Sequence, residues 1–408
     1  MVKNRTIVHL IESLLTNRRF FVEMDGRRSR WRIQNNGLPQ GSVLAPTLFN
    51  IYTNDQPHFQ NIRRFIYADD LCLATQSDTF TNIESRLSDA LTALSIYYRK
   101  WHLNANPTKT QVCAFHLRNK QANRKLKITW DNIDLEHYTH PVYLGVTLDR
   151  TLSFKNHINK LKQKVSTRNN LLSKLTNTSW GADPGTLRQT ATALCYSTAE
   201  YCAPVWARSC HAHKVDPELN RSCRIITGTL KPTPLPSLYR VAGIAPPNIR
   251  RETLSRTEKH NQINDPRHPL HSHQVVRQRL KSRKSFATVA ELEKKQAPSY
   301  RLERWREGEQ WQQNEALPDI RENLPSGTAL PRKDWVSLNR ARVKVGKTND
   351  NSCKWGFSTS PECPCGAASQ TMEHILRDCP LGPHCTNQDL REANNTAQEW
   401  VRHWRDKI

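Results

Sequence analysis

The amino-acid sequence predicts an α+β protein, with strands gathered in the first 150 residues and helices after them. Three observations carry that expectation. Up to residue 149, short apolar runs alternate with turn pairs such as Asp25-Gly26. From about residue 151, apolar residues recur at helical spacing. Near the C-terminus three cysteines and a histidine gather between positions 363 and 379.

The elements follow in chain order. "MVKNRTIVHLIESLLTNRR" reads as an amphipathic helix; Glu12 and Arg18-Arg19 interrupt it and no cleavage site follows, so it is not a signal peptide. "RFFVEM" and "SRWRIQ" flank Asp25-Gly26 as a hairpin. In "NNGLPQGSVLAPTLFNIYTND", residues 35–55, Gly37 and Gly41 flank Pro39-Gln40, and Ser42 is placed to cap a helix. "RRFIYADDLCLA" sets Asp69-Asp70 between two strand-like runs. A helix is expected near 79–102, where Leu87, Leu91, Leu94 and Tyr98 recur, and "TQVCAFHL", "KLKITW" and "YLGVTLD" read as strands. Ile158, Leu161, Val165, Leu172 and Leu175 then mark one helix face, and "LRQTATALCYSTAEYCAPVWA" a second helix. Pro232, Pro234, Pro236 and Pro246-Pro247 break the pattern. The expected organisation is therefore a strand-rich region at 1–150, helices at 151–250, a charged helical tether at 251–335, a Cys/His segment at 336–385 and a tail at 386–408.

Sixty-one Lys and Arg against thirty-seven Asp and Glu leave a net charge of +24. The surplus recurs in "RRFFVEMDGRRSRWR", "KNHINKLKQK", "RQRLKSRK" and "RLERWR". Each cluster alone can be a solvated helix face, but together they suit a polyanion, most commonly nucleic acid. No run of about 18 apolar residues exists to span a membrane. Eleven cysteines, an odd number, favour a reducing, intracellular compartment, nuclear or cytoplasmic.

Two constellations carry chemistry. Asp69-Asp70 at a hairpin tip is either ordinary turn chemistry or half of a divalent-metal site. The glycine-rich turn before it is either a plain connector or a place where backbone N–H groups approach a substrate. Cys363-x-Cys365 is followed after eight residues by His374 and after four more by Cys379. That set can close a tetrahedral Zn²⁺ site, although the one-residue gap between the first two cysteines is short; core cysteines beside a surface histidine are the alternative.

"GLPQGSVLAPTLFNIYTND", "FIYADD", "WHLNANPTKTQV" and "YLGVTLD" resemble, in order and spacing, the reverse transcriptases of non-LTR, LINE-type retrotransposons, particularly the jockey-like group. The resemblance implies a partial polymerase palm with an antiparallel sheet, a helical thumb, and a helical C-terminal extension bearing a small zinc knuckle. It implies RNA-directed DNA synthesis: a DNA primer 3′-hydroxyl, annealed to an RNA template, attacks an incoming dNTP with Mg²⁺ (or Mn²⁺) held at Tyr67-Ala68-Asp69-Asp70. Asp69 is the firmer ligand of the pair. Gly37, Pro39, Gln40, Gly41 and Ser42 match the segment along template and nucleotide. Lys109 matches a lysine near the triphosphate, and Gly145 a primer-grip turn. Cys363, Cys365, His374 and Cys379 match a Zn²⁺ knuckle, with Cys385 as a substitute ligand.

One part of the pattern departs. The family's site takes a third carboxylate from a strand several dozen residues before the glycine-rich segment, yet only 36 residues precede Gly37. Their acids, Glu12, Glu23 and Asp25, do not occupy the expected place. The expectation is a copy lacking the fingers and the first carboxylate strand, inactive alone. The alternative function is a non-catalytic nucleic-acid-binding protein that uses the basic helices and the knuckle.

Overall fold

The chain divides into two compact units, Met1–Ala114 with Arg118–Thr139, and Phe115–Leu117 with His140–Ile408. The computed structural model describes residues 4–177, 181–274, 285–309 and 314–408; the basic run at 277–284 lies outside them.

Small antiparallel hairpins and three α-helices build the first unit. Asn4 caps the helix Arg5–Leu15 by accepting the Thr6 N–H. Asp25 and Gly26 then turn the chain with φ of +51° and +74°, the left-handed pair that a two-residue hairpin needs. Glu23 pairs with Arg28 beside the turn and Arg19 with Ile33 further down, a register that inserts one extra residue into the second strand as a bulge. Strands Ile62–Tyr67 and Asp70–Thr75 pair residue for residue. Leu71 and Leu73 from this hairpin pack with Leu91 and Leu94 of the helix Phe80–Lys100, together with Ile128, Trp130 and Leu135. The Trp130 indole donates to Ser95 Oγ at 2.5 Å, so the buried ring keeps its hydrogen bond.

Some expected strands shrink. "KLKITW" pairs only over Thr129–Trp130, with Ile133–Asp134. The run 110–117 contributes a single parallel bridge, Val112 to His137. A strand lasts as long as its ladder, and Val112 alone of that run finds a ladder partner among the described residues. Ser42 also differs from expectation. The helix Ala45–Tyr52 has Leu44 at its N-cap, without a side-chain cap, and Ser42 Oγ instead accepts the Leu44 N–H at 3.3 Å.

Helices build the second unit. The helix Lys155–Lys174 buries Ile158, Leu161, Val165 and Leu172 of the expected face, with His157 and Asn169 beside them, while Leu175 at its C-cap is exposed. A second run passes through Pro184–Ala191, the π-helical Thr192–Tyr196 and Ser197–Glu200, then breaks at Tyr201-Cys202 before Ala203–Trp206. Leu187, Tyr196 and Trp206 join Leu219, Ile226 and Leu238 in one core. Trp305, from the helix Ala297–Gly308, is buried in that same core. The described residues of 251–335 thus differ from a tether: Arg301 clasps Glu322 at 2.6 Å, and Arg240 donates to Pro318 O at 2.6 Å. Residues 386–408 likewise differ from a tail. They form the helices Asn387–Glu392 and Asn395–Trp404, and Leu390, Trp400, Val401 and Trp404 are buried with Ile375 and Leu376.

A third helix, Arg332–Arg342, joins these parts through the carbonyl end of the helix Asp216–Thr227. Arg332 donates to Ile225 O and Ile226 O, Trp335 to Ile226 O, Asn339 to Thr227 O and Arg340 to Gly228 O. Orphan carbonyls at a helix C-terminus carry partial negative charge, so two guanidinium groups are well matched there, worth about 0.5–2 kcal/mol each. Gly228, at φ +72°, lies so close to Val336 that a Cβ would stand 2.2 Å from its methyl carbon.

Asp149 starts the helix Lys155–Lys174. Its carboxylate accepts from the N–H and hydroxyl of both Thr151 and Ser153, and from Phe154 N–H at 2.8 Å. Burial raises its pKa, but the hydrogen bonds from Ser153, Thr151 and Phe154 outweigh burial and hold it below 3.8. Stability from Asp149 is therefore fully present above the unfolded pKa and disappears as pH falls through the folded one. Asp149→Ala should cost about 1–2 kcal/mol in urea unfolding at pH 7. The gap to the unaltered chain should close below about pH 4, and a gap independent of pH would overturn this account.

Candidate active site and metal centre

Asp69 and Asp70 stand exposed at the head of the hairpin Ile62–Tyr67/Asp70–Thr75. The two-residue turn is Ala68-Asp69, since Tyr67 pairs directly with Asp70. Ala68 adopts φ +51°, a left-handed conformation that costs a non-glycine residue about 1–2 kcal/mol. Strain of this kind persists where neighbouring structure over-determines it, here a six-pair ladder backed by Leu71 and Leu73. Neither carboxylate is engaged in a hydrogen bond or ion pair among the described residues. Hard carboxylate oxygens suit Mg²⁺, but no third acid joins this pair in a metal-binding group among the described residues.

The glycine-rich segment forms an open turn. Gly37 and Gly41 have φ of +77° and +86°, and a Cβ at either would meet nothing within 4 Å. The backbone there is accessible, as close approach to a ligand requires. Gln40 is exposed; Pro39 and Ser42 are half-buried. Arg18, which the sequence reading counted only among the basic residues, donates to Asn36 O and Gly37 O of this segment.

Lys109 is exposed at the end of a short turn, Pro107–Lys109, which Asn106 caps. No hydrogen bond or ion pair links Lys109 or Gln40 to the aspartates among the described residues.

Gly145 belongs to the second unit, in the turn between strands Val142–Tyr143 and Val146–Thr147. It turns with φ +78°, and a Cβ would press the Tyr201 ring at 3.3 Å. The Tyr201 hydroxyl donates to Leu144 O at 2.9 Å. His157, unrecognised in the sequence, also holds this hairpin: its Nδ1 accepts the Thr147 N–H at 3.3 Å. Burial, with Lys164 and Lys160 adding to it, pushes its pKa down to about 4, so the ring is neutral at ordinary pH. The readable signal was its place four residues before Leu161 on the apolar stripe.

Cys363, Cys365, His374 and Cys379 come together with all four ligand atoms within 4.8 Å of one another. Cys363 Sγ lies 3.7 Å from Cys379 Sγ, and Cys365 Sγ lies 3.2 Å from His374 Nε2. A tetrahedron with Zn–S bonds of about 2.3 Å has S···S edges of about 3.8 Å, so the donor set fits. The short gap between the first cysteines is absorbed by Gly366, whose φ of +95° turns the chain while its N–H bonds Cys363 O at 2.9 Å. Thr371 caps the helix Met372–Arg377 that presents His374. Burial, with the neighbouring Cys363 adding to it, pushes the Cys379 thiol above its ordinary value. Cys385 stands outside this group; its thiol faces Thr386 O at 3.7 Å.

Residues 2–148 match the family model described as reverse transcriptase (RNA-dependent DNA polymerase). The chain is 34% identical to the RNA-directed DNA polymerase from mobile element jockey of Drosophila funebris, over 40% of this chain and 18% of that protein. It is 29% identical to the probable RNA-directed DNA polymerase from transposon BS of Drosophila melanogaster, over 53% of this chain and 25% of that protein. A weaker likeness, 19% identity, extends over 86% of the chain and 87% of a retrovirus-related Pol polyprotein from type-1 retrotransposable element R1 2 of Nasonia vitripennis. The chain thus spans about a fifth to a quarter of the length of the first two relatives. No described helix is long and apolar enough to cross a membrane.

Proposed function

We propose, for a chain that carries a reverse transcriptase domain of the non-LTR retrotransposon kind, that it contributes the aspartate-bearing palm hairpin, the thumb and a zinc knuckle to RNA-directed DNA synthesis. The observation that carries this reading is the pair of exposed, unpartnered carboxylates at the tip of a buttressed hairpin. Mg²⁺ (or Mn²⁺), when bound, supplies Lewis-acid activation of the primer hydroxyl and charge neutralisation on the triphosphate. Asp69 and Asp70 offer hard oxygen ligands, Asp69 from the turn itself and Asp70 from the first ladder position. The open backbone at Gly37, Gln40 and Gly41 lets template and nucleotide approach closely, and Ser42 steadies the following turn. Lys109 offers a mobile positive charge, able to neutralise or protonate departing pyrophosphate. The turn at Gly145 and the helices from residue 155 receive the duplex as grip and thumb. Cys363, Cys365, His374 and Cys379 hold Zn²⁺ in a structural role. Nucleotide incorporation on an RNA template by the chain supplied with a third carboxylate, lost on Asp69→Ala, is the deciding measurement.

A second reading is favoured by the lack of a third acid beside Asp69 and Asp70 among the described residues: a nucleic-acid-binding protein without polymerase activity. Both readings require a basic thumb. Lys162 and Lys164 are exposed on the helix Lys155–Lys174, whereas Lys160 is tied to Thr147 Oγ1 at 3.1 Å. Replacing Lys162 and Lys164 by alanine should weaken binding to a primer–template duplex and reduce the salt slope by about 2. Sequence preference should not change. Affinity insensitive to salt would count against a thumb surface.

A further inference from the structure

We infer that Arg18 is the positioning residue of the glycine-rich turn, setting where Gln40 and Gly41 meet template and nucleotide; the inference rests on the role proposed above for that turn. Arg18 Nε donates to Leu15 O at 3.3 Å, the last residue of the helix Arg5–Leu15. Its Nη2 donates to Asn36 O at 3.3 Å and to Gly37 O at 2.6 Å. One guanidinium thus ties a helix end to the first glycine of the turn. The Arg18 backbone carbonyl adds to the tie by accepting the Gln34 N–H at 2.8 Å.

Leu38 and Pro39 of the turn are half-buried, and Arg18 supplies the hydrogen bonds that reach it from elsewhere. Among the described residues, residues 35–41 have no hydrogen bond to any group outside the segment and its following helix cap except those from Arg18; the Ser42 N–H to Pro39 O bond is internal. Gly37 and Gly41 pack against nothing within 4 Å of a Cβ position. Two glycines in open space give the segment wide conformational freedom, which the two carbonyls gripped by Arg18 restrict. Arg18 Nη1 is buried and has no hydrogen-bond partner among the described residues, so the side chain is held by its other two nitrogens. A planar fork can bridge carbonyls from two segments at once; a lysine ammonium on a flexible stem cannot reproduce that geometry.

Hydrogen–deuterium exchange of the full chain, free and with a DNA primer annealed to an RNA template, tests this. In the free protein, Arg18→Ala should speed exchange of the Ser42 amide, which bonds Pro39 O across the turn, by on the order of tenfold, with Arg18→Lys intermediate. Amides of the helix Phe80–Lys100 should be unaffected. Adding primer–template should protect the turn in the unaltered chain and much less in Arg18→Ala, while thumb protection stays equal. Unchanged exchange of the Ser42 amide in the free variant would overturn the tether. A loosened turn that is still protected equally would overturn the positioning role, as would exchange that rises across the whole first unit in both variants. If primer–template leaves the turn unprotected in the unaltered chain, the reading of the turn falls, and the tether is judged by the free-protein rates alone.

Discussion

Primer extension by the 408-residue chain should be negligible, even with abundant Mg²⁺ and all four nucleotides. A two-metal site must hold the attacking and leaving oxygens together, and two carboxylates from one hairpin tip address only one side of it. Among the described residues no third acid completes the set around Asp69 and Asp70. If that omission forfeits about 4 kcal/mol of transition-state stabilisation, the rate falls about a thousandfold. Joining to the chain a segment that sets a third carboxylate beside Asp69 and Asp70 should restore synthesis. Asp69→Ala in that fusion should remove it again, by about a thousandfold or more. Robust extension by the unmodified chain, lost on Asp69→Ala, would show that another residue completes the site.

Freshly purified, reduced protein should hold about one Zn²⁺, and its removal should disrupt the lobe around the Cys/His cluster. Structural zinc contributes about 10–16 kcal/mol in isolated finger peptides; here part of the lobe's stability comes from its apolar core instead. The reporters are built in. Trp400 and Trp404 are buried, and the Trp400 indole donates to Ile375 O, one residue beyond His374. Chelation should therefore red-shift tryptophan emission and melt the helices at 372–404 while the helices at 155–264 persist. Cys379→Ser should prevent stoichiometric zinc retention. A metal-free preparation, or a chelated protein with an unchanged tryptophan spectrum, would overturn the assignment.

What was legible in the sequence was local. The Asp69-Asp70 hairpin, the Gly37–Gly41 turn, the helix at 80–100 and the Cys/His spacing all announce themselves within a few residues, through alternation, turn chemistry or periodicity. What was missed depends on partners distant in the chain. Trp305 sits in a charged stretch, and only the helices from 155 onward explain its burial. Residues 395–404 carry Trp400, Val401 and Trp404 on one face, a readable stripe that the expectation of a tail passed over. Arg18 reads as one more basic residue, because its two acceptors lie 18 and 19 positions away. The Ser42 cap failed through local competition: the helix begins two residues later, with Pro46 in its first turn.

The donors that Arg332–Arg342 places on the end of the helix Asp216–Thr227 bear on where this polypeptide can be divided. A fragment ending near residue 250 would keep the helix but strip its last carbonyls of Arg332, Trp335, Asn339 and Arg340, and would uncover the face that Trp305 fills. A fragment beginning near residue 336 would keep the four metal ligands and lose Arg332, Asp334 and Trp335, all three of them buried and Asp334 paired with Arg405 at 2.9 Å. Expression boundaries drawn from motif names would cut through both. The smallest piece of the C-terminal half worth producing runs from the hairpin at 142 through the final helix.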